Sequence, residues 1–299
     1  MQKNRITLSL LAYFISHSLL LAQTTYDLWT VEVQGKGSRM QLVKGSEKAL
    51  TNRAEYDNQP SFINESQLVF SAADTNGNHD IIVYNFKNGK FTNLSKTSDR
   101  SEFSPTITDC GQYISAVVME PDGKQRLWLY PTNFGEPELL YDDIEPVGYY
   151  DWYENKAAMF VLGQPNTLVY AKGRNDLLTL DQHVGRSIQK RPKTDQITYF
   201  DQDTALEFPD GDAFELKSYD FVQNENYTLG LGLPGSQDFI WLDKKTLLMA
   251  RGNSFYLRKY NEKTWELMGS ISSETHQNIS RITYSKDQQV LVFAMERKN

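Results

Sequence analysis

Short apolar runs alternate with tight polar turns along almost the whole chain, and the alternation repeats. The clearest unit opens with Pro60-Ser61-Phe62, turns through Asn64-Glu65-Ser66 and continues as the apolar run Leu68-Val69-Phe70-Ser71. A second turn, Asp74-Thr75-Asn76-Gly77-Asn78, leads into Asp80-Ile81-Ile82-Val83-Tyr84-Asn85, and Asn88-Gly89 with Phe91 to Leu94 ends the unit. Runs rich in β-branched and aromatic residues, bounded by Asn, Asp and Gly, predict strands joined by hairpin turns. Four such strands make one blade of a β-propeller.

Five further copies follow. Taking the second strand as marker, the series is Leu68, Tyr113, Ala158, Ile197, Leu247 and Val290, with intervals of 45, 45, 39, 50 and 43 residues. A four-stranded blade takes about 40–45 residues. The third and fourth copies diverge most. Gly173-Arg174-Asn175-Asp176-Leu177 imitates Gly77-Asn78-His79-Asp80-Ile81, which leaves their register open by one strand. The sixth copy ends after two strands, Ile282 to Ser285 and Val290 to Ala294. Its missing half is sought at the other end, where Tyr26 to Val33 alternates like a strand and Arg39 to Val43 follows a Gly35-Lys36-Gly37 turn. Pairing these segments with the sixth copy would close a ring and remove two open sheet edges. No segment carries a sustained helical period and no linker divides the chain. The expectation is an all-β, six-bladed β-propeller spanning residues 23–299 as one domain, with N-terminal strands completing the last blade.

The phrases from Pro60 to Ile81 and from Ser280 to Ala294 resemble the WD40-like repeat of TolB-type propellers. That repeat has a proline and an aromatic, a Ser-Pro-Asp-Gly turn, a strand, then Gly-Asn-x-Asp-Ile-Tyr. Here the Ser-Pro-Asp-Gly turn appears as Asn64-Glu65-Ser66, Thr108-Asp109-Cys110-Gly111 and Ser285-Lys286-Asp287-Gln288. The resemblance covers most of residues 26–299. It implies six blades and the binding of a protein or ligand, as in stand-alone periplasmic propellers and the gating propellers of some peptidases. It transfers no catalytic motif.

The first residues change the picture of location. Lys3 and Arg5 precede an apolar stretch from Ile6 to Ala22, the pattern of a secretory signal peptide over residues 1–22. The run is short for a membrane span and is broken by three serines and a histidine. The expectation is export to the periplasm or the medium, with no stable membrane insertion after cleavage. Without Lys3 and Arg5 the chain keeps 29 basic and 38 acidic residues, a net charge of −9. That balance argues against a nucleic-acid partner. Cys110 is the single cysteine, so no intrachain disulfide can form. The expected oligomeric state is a monomer.

Candidate chemistry is sparse. Asp74, Asn76, Asn78 and Asp80 alternate like calcium ligands, but Gly77 falls at the fourth position and Asn85 stands where an EF-hand has its glutamate. A hairpin turn is the better reading. The signal-free chain has His79, His183 and His276, one per separate region, and no Gly-x-Ser-x-Gly elbow. No cofactor and no metal are expected. The loops entering each innermost strand are richer in polar groups. They carry Tyr56, Asp57 and Asn58 in the first repeat and Glu102 in the second. Tyr149 and Arg186 stand in the third and fourth, and Gln237, Asp238 and Arg281 in the fifth and sixth. In a propeller these loops meet around one mouth of the central channel, where converging polar groups make a binding site. A non-enzymatic propeller binding a protein, peptide or small polar ligand there is the leading reading. The alternatives are a carbohydrate-active lyase or hydrolase using Asp57, Glu102 or Asp238, and an architectural envelope module. Two carboxylates about 5–9.5 Å apart would be required for glycoside hydrolysis.

Overall fold

The protein is described by a computed structural model covering residues 24–173 and 176–298. The signal-peptide reading, on residues 1–22, lies outside the described residues. The rest is a six-bladed β-propeller. Five blades are continuous in sequence: 57–93, 101–139, 147–182, 184–231 and 239–270, each a four-stranded antiparallel sheet in sequential order. The marker residues all fall on second strands, and the third and fourth blades keep the register first read for them. Gly173 and Asp176 sit in the outer hairpin of the third blade.

The sixth blade is assembled from both ends of the described chain. Its inner strands are His276–Ser285 and Val290–Arg297, and Tyr26–Gln34 pairs antiparallel with the second of these, Leu28 opposite Ala294 and Trp29 opposite Phe293. The outer edge is not one strand. Gln41–Leu42 pairs with one end of Tyr26–Gln34 and Lys48–Ala49 with its middle. The polar segment Val43 to Glu47 interrupts the edge: Ser46 donates to the Val43 carbonyl and accepts from the Glu32 amide.

Apolar side chains on the two faces of each sheet pack against the neighbouring blades, so the core is a ring of six clusters, one per seam. Closure creates the seam between the last and first blades, where Leu28 and Val292 meet Leu68 and Phe70. A polar knot reinforces it. Asp27, fully buried, lies 2.7 Å from His276 Nε2, accepts from the Arg297 guanidinium and accepts the Arg53 amide at 3.1 Å. Indole groups tie other seams. Trp152 Nε1 donates to Ser115 Oγ of the preceding blade, and Trp241 Nε1 does the same to Thr198 Oγ1, each at 2.9 Å.

The segment from Asp74 to Asn78 is a turn, and Asp80 already belongs to the strand His79–Asn85. Asp74 Oδ1 accepts the amides of Asn76 and Asn78, and Gly77 has φ of +86°. Left-handed backbone of that kind is open to glycine at no steric cost.

Candidate functional site

One feature of the inner strands builds the site. Each leads into the hairpin that follows it, and near the start of most of them the pairing slips. The shifts fall at Asn58/Ser61, Phe103/Thr106, Val147/Tyr149, Val184/Ile188 and Ser280/Ile282, in five of the six blades. Gln59, Ser104 and Arg281 adopt positive φ there although none is glycine. A bulge re-aims the side chains around it and such strained backbone clusters at functional sites. Here it turns polar side chains into the channel.

At the mouth where the inner strands begin, Asp238 is 7% exposed and takes both arginines: Arg186 Nη2 at 2.6 Å and Arg281 Nη1 at 2.9 Å. Arg281 also donates to the Tyr149 hydroxyl at 3.0 Å, with its guanidinium 4.9 Å from that ring. Burial pushes the Asp238 carboxyl up, but Arg281 and Arg186 outweigh it and hold the group below its ordinary value. Two cations share one anion, so the cluster keeps an excess positive charge. Arg186 Nε is buried and without a hydrogen-bond partner, while its side chain as a whole is 41% exposed.

Two concavities share Arg186 and Asp238. One is the channel itself, about 180 Å³, bordered also by Gln59, Ser104, Tyr149 and Asp151. The other, about 380 Å³, opens on the rim and includes Gln237, Arg251 and Asn278. Asp151 faces the channel's interior, where burial pushes its carboxyl up to about 6 even though it accepts the Lys190 and Trp152 amides. Tyr56 stands beside the arginine cluster, and burial raises its hydroxyl to about 12.

The remaining residues proposed from the sequence lie elsewhere. Asp57 is fully buried in the seam between the last and first blades, in a two-pronged pair with Arg53. Glu102 is fully buried between the first and second blades, accepting from Thr97 and Tyr130 at 2.8 Å. Neither borders the channel cavity. Asn58 caps its own strand, accepting the Gln59 amide. Loop position gave their height along the channel axis. The facing was lost because one residue of register moves a strand side chain to the opposite face. Gln59, Ser104 and Asp151 were missed; an isolated polar residue just after a loop is the only signal they leave.

Glu102 yields a pH test. Burial raises its carboxyl to about 7, against 4.5 for the ordinary group, despite hydrogen bonds from Thr97 and Tyr130. The folded state therefore holds a proton that the unfolded chain gives up. This contribution is fully present below pH 4.5 and is lost as pH rises through about 7. The difference corresponds to roughly 3 kcal/mol. E102Q should remove that part of the decline, seen by denaturant unfolding at pH 5 and pH 8. An unchanged decline in the variant would refute the assignment. Asp151 titrates in the same direction and remains in both proteins.

Comparison with known proteins extends the fold. No protein-family profile and no curated protein matches the sequence. Solved structures do match over nearly their whole length. The structure described as a TolB from Agrobacterium tumefaciens has a TM-score of 0.68 at 8% identity, over 92% of this chain and 99% of that one. A gluconolactonase from Xanthomonas campestris gives 0.58 at 10%, over 89% and 97%. An oligogalacturonate lyase in complex with manganese gives 0.51 at 11%, over 90% and 97%. The fold is that of a TolB-like six-bladed propeller.

Proposed function

We propose that this chain is an exported, non-enzymatic propeller that binds a protein, peptide or small polar ligand through a carboxylate at the arginine-lined channel mouth. The observation that carries the reading is the sharing of Asp238 by Arg186 and Arg281. An incoming carboxylate can take the second place opposite two guanidiniums, whose planar forks suit it. Tyr149 supplies an aromatic wall beside it. The basic start and apolar run before Gln23 support export, and among the described residues no helix is long and apolar enough to cross a membrane.

The test uses short peptides with free or amidated C-termini and isothermal titration calorimetry. R186A/R281A should weaken the free-acid peptides at least about tenfold, the order expected for lost charged hydrogen bonds. Equal binding of acid and amide forms, or no effect of the double substitution, would discard the carboxylate site.

The enzyme reading has one supporting feature. Asp151 is a channel carboxyl whose pKa, at about 6, suits general acid–base work. Asp57 and Glu102 stand in separate seams, so a second channel carboxylate would have to come from Asp238, already paired with two arginines. Incubation with oligogalacturonate and with gluconolactone, following loss of substrate, distinguishes this reading from binding alone.

A further inference from the structure

The face opposite the arginine mouth is built from the hairpin turns that follow the inner strands. Among these turns lies a cavity of about 710 Å³. Its walls are strongly basic. Lys36 and Arg39 come from the turn after the first strand, Lys193 from the fourth blade, Lys244 and Lys245 from the fifth, and Lys286 from the sixth. Lys259 completes the set. A chain with a net charge of −7 and 31 Lys and Arg in all thus gathers seven of them at one concavity.

These cations are not there to pair with the protein. Among the described residues, Lys36, Arg39, Lys193, Lys244, Lys245 and Lys286 form no ion pair. Lys259 alone has a partner, Glu262 at 2.8 Å. The acid in the lining, Asp243, is engaged by its own turn, accepting the amides of Lys245 and Thr246. The fold also brings the cations together by a specific device. Gly35 has φ of +86°, and a Cβ there would stand 2.4 Å from the Arg39 carbonyl oxygen, so only glycine lets the Lys36 to Arg39 turn fold back over the cavity. Like charges so gathered repel one another, which is a standing cost unless an anion offsets it.

We propose that this cavity binds a compact ligand carrying two or more phosphate groups. Six of the seven cations are lysines, point charges that suit phosphate oxygens from several directions, whereas a carboxylate site favours the arginine fork found at the other mouth. The floor is apolar, formed by the buried Met40 with Leu242, Tyr284 and Pro192, so the phosphates can be borne by an apolar body. Both a soluble oligophosphate and the head of an anionic phospholipid have this chemistry. The cavity is concave and bordered by turns from three blades, which suits a compact group better than an extended strand.

The full chain without residues 1–22 is titrated with inorganic tripolyphosphate by calorimetry, and separately mixed with vesicles of phosphatidylcholine with and without cardiolipin. Saturable one-to-one binding of tripolyphosphate is expected. K193Q/K244Q/K245Q, all exposed, should weaken it at least about 30-fold. K87Q/K90Q/K96Q on the first blade should leave it unchanged. Cardiolipin vesicles bound with the same sensitivity identify a lipid source; tripolyphosphate bound without them identifies a soluble one. If the triple variant melts early, K193Q and K286Q singly, on separate blades, must each weaken binding. Absence of saturable binding to both probes overturns the proposal, as does binding indifferent to these substitutions. Tighter binding of a single-stranded oligonucleotide than of tripolyphosphate also overturns it, in favour of an extended polyanion.

Discussion

Deletion of residues 24–45 is expected to give a protein that aggregates instead of melting cooperatively. The deletion removes Tyr26–Gln34, the partner of Val290–Arg297 along its whole length, and with it Leu28 and Val31, both fully buried. The newly exposed edge would be Val290 to Met295, six apolar or small residues in a row, the kind of flat edge that recruits other chains. Asp27 goes too, leaving His276 and the Arg297 guanidinium without their shared carboxylate. A milder version separates packing from pairing: L28A keeps the strand and should cost about 2–5 kcal/mol. Size-exclusion chromatography and thermal melts decide the matter. A truncated protein that stays monomeric with an unchanged Tm would refute closure by the N-terminal strand.

The second large effect is expected at the arginine mouth. D238A leaves Arg281, with a side chain only 17% exposed, facing Arg186 with no carboxylate between them. Removing one member of a buried pair costs about 3–5 kcal/mol. Arg186 is more exposed and should contribute the smaller part. Substituting Arg281 as well ought to recover part of the loss, so that D238A/R281A is more stable than the two single costs together imply. The pH dependence has a definite sign. Asp238 is held below its ordinary 3.8, because the arginines outweigh burial. Its stabilisation is present above pH 3.8 and disappears as pH falls through the lower folded value. Acid unfolding of the wild type and of D238A should therefore converge at low pH. Additive losses in the double variant would show that the three side chains do not act as a unit.

The propeller was legible because its signals are local and redundant. Asn76-Gly77-Asn78 specifies a hairpin by its own backbone preferences, and six marker strands at similar spacing report the period whichever copy is blurred. Closure was legible from the half-length sixth copy. The split outer edge at Gln41–Leu42 and Lys48–Ala49 was not, since dipeptide strands leave no periodicity to read. The mouth was read in part. Arg186, Asp238, Arg281 and Tyr149 meet in space, because the bulges near the starts of inner strands aim several of them inward. Asp57 and Glu102 occupy the same stretch of the repeat but face the seams, where Arg53 and Tyr130 wait for them. The basic cavity was hidden for a different reason. Its residues come from four separate turns, and a net charge summed over the chain cancels any local excess.

The pairing of Asp27 with Met295 also bears on how the protein comes to be folded at all. A ribosome makes the closing strand first and its partner last, so Tyr26–Gln34 has no place in the sheet until nearly every other strand exists. Contacts so distant in sequence are slow to form, because loop closure must be accomplished before any contact rewards it. For much of synthesis the growing chain is a row of blades whose ring is still open. The ring therefore locks only when its two ends find each other.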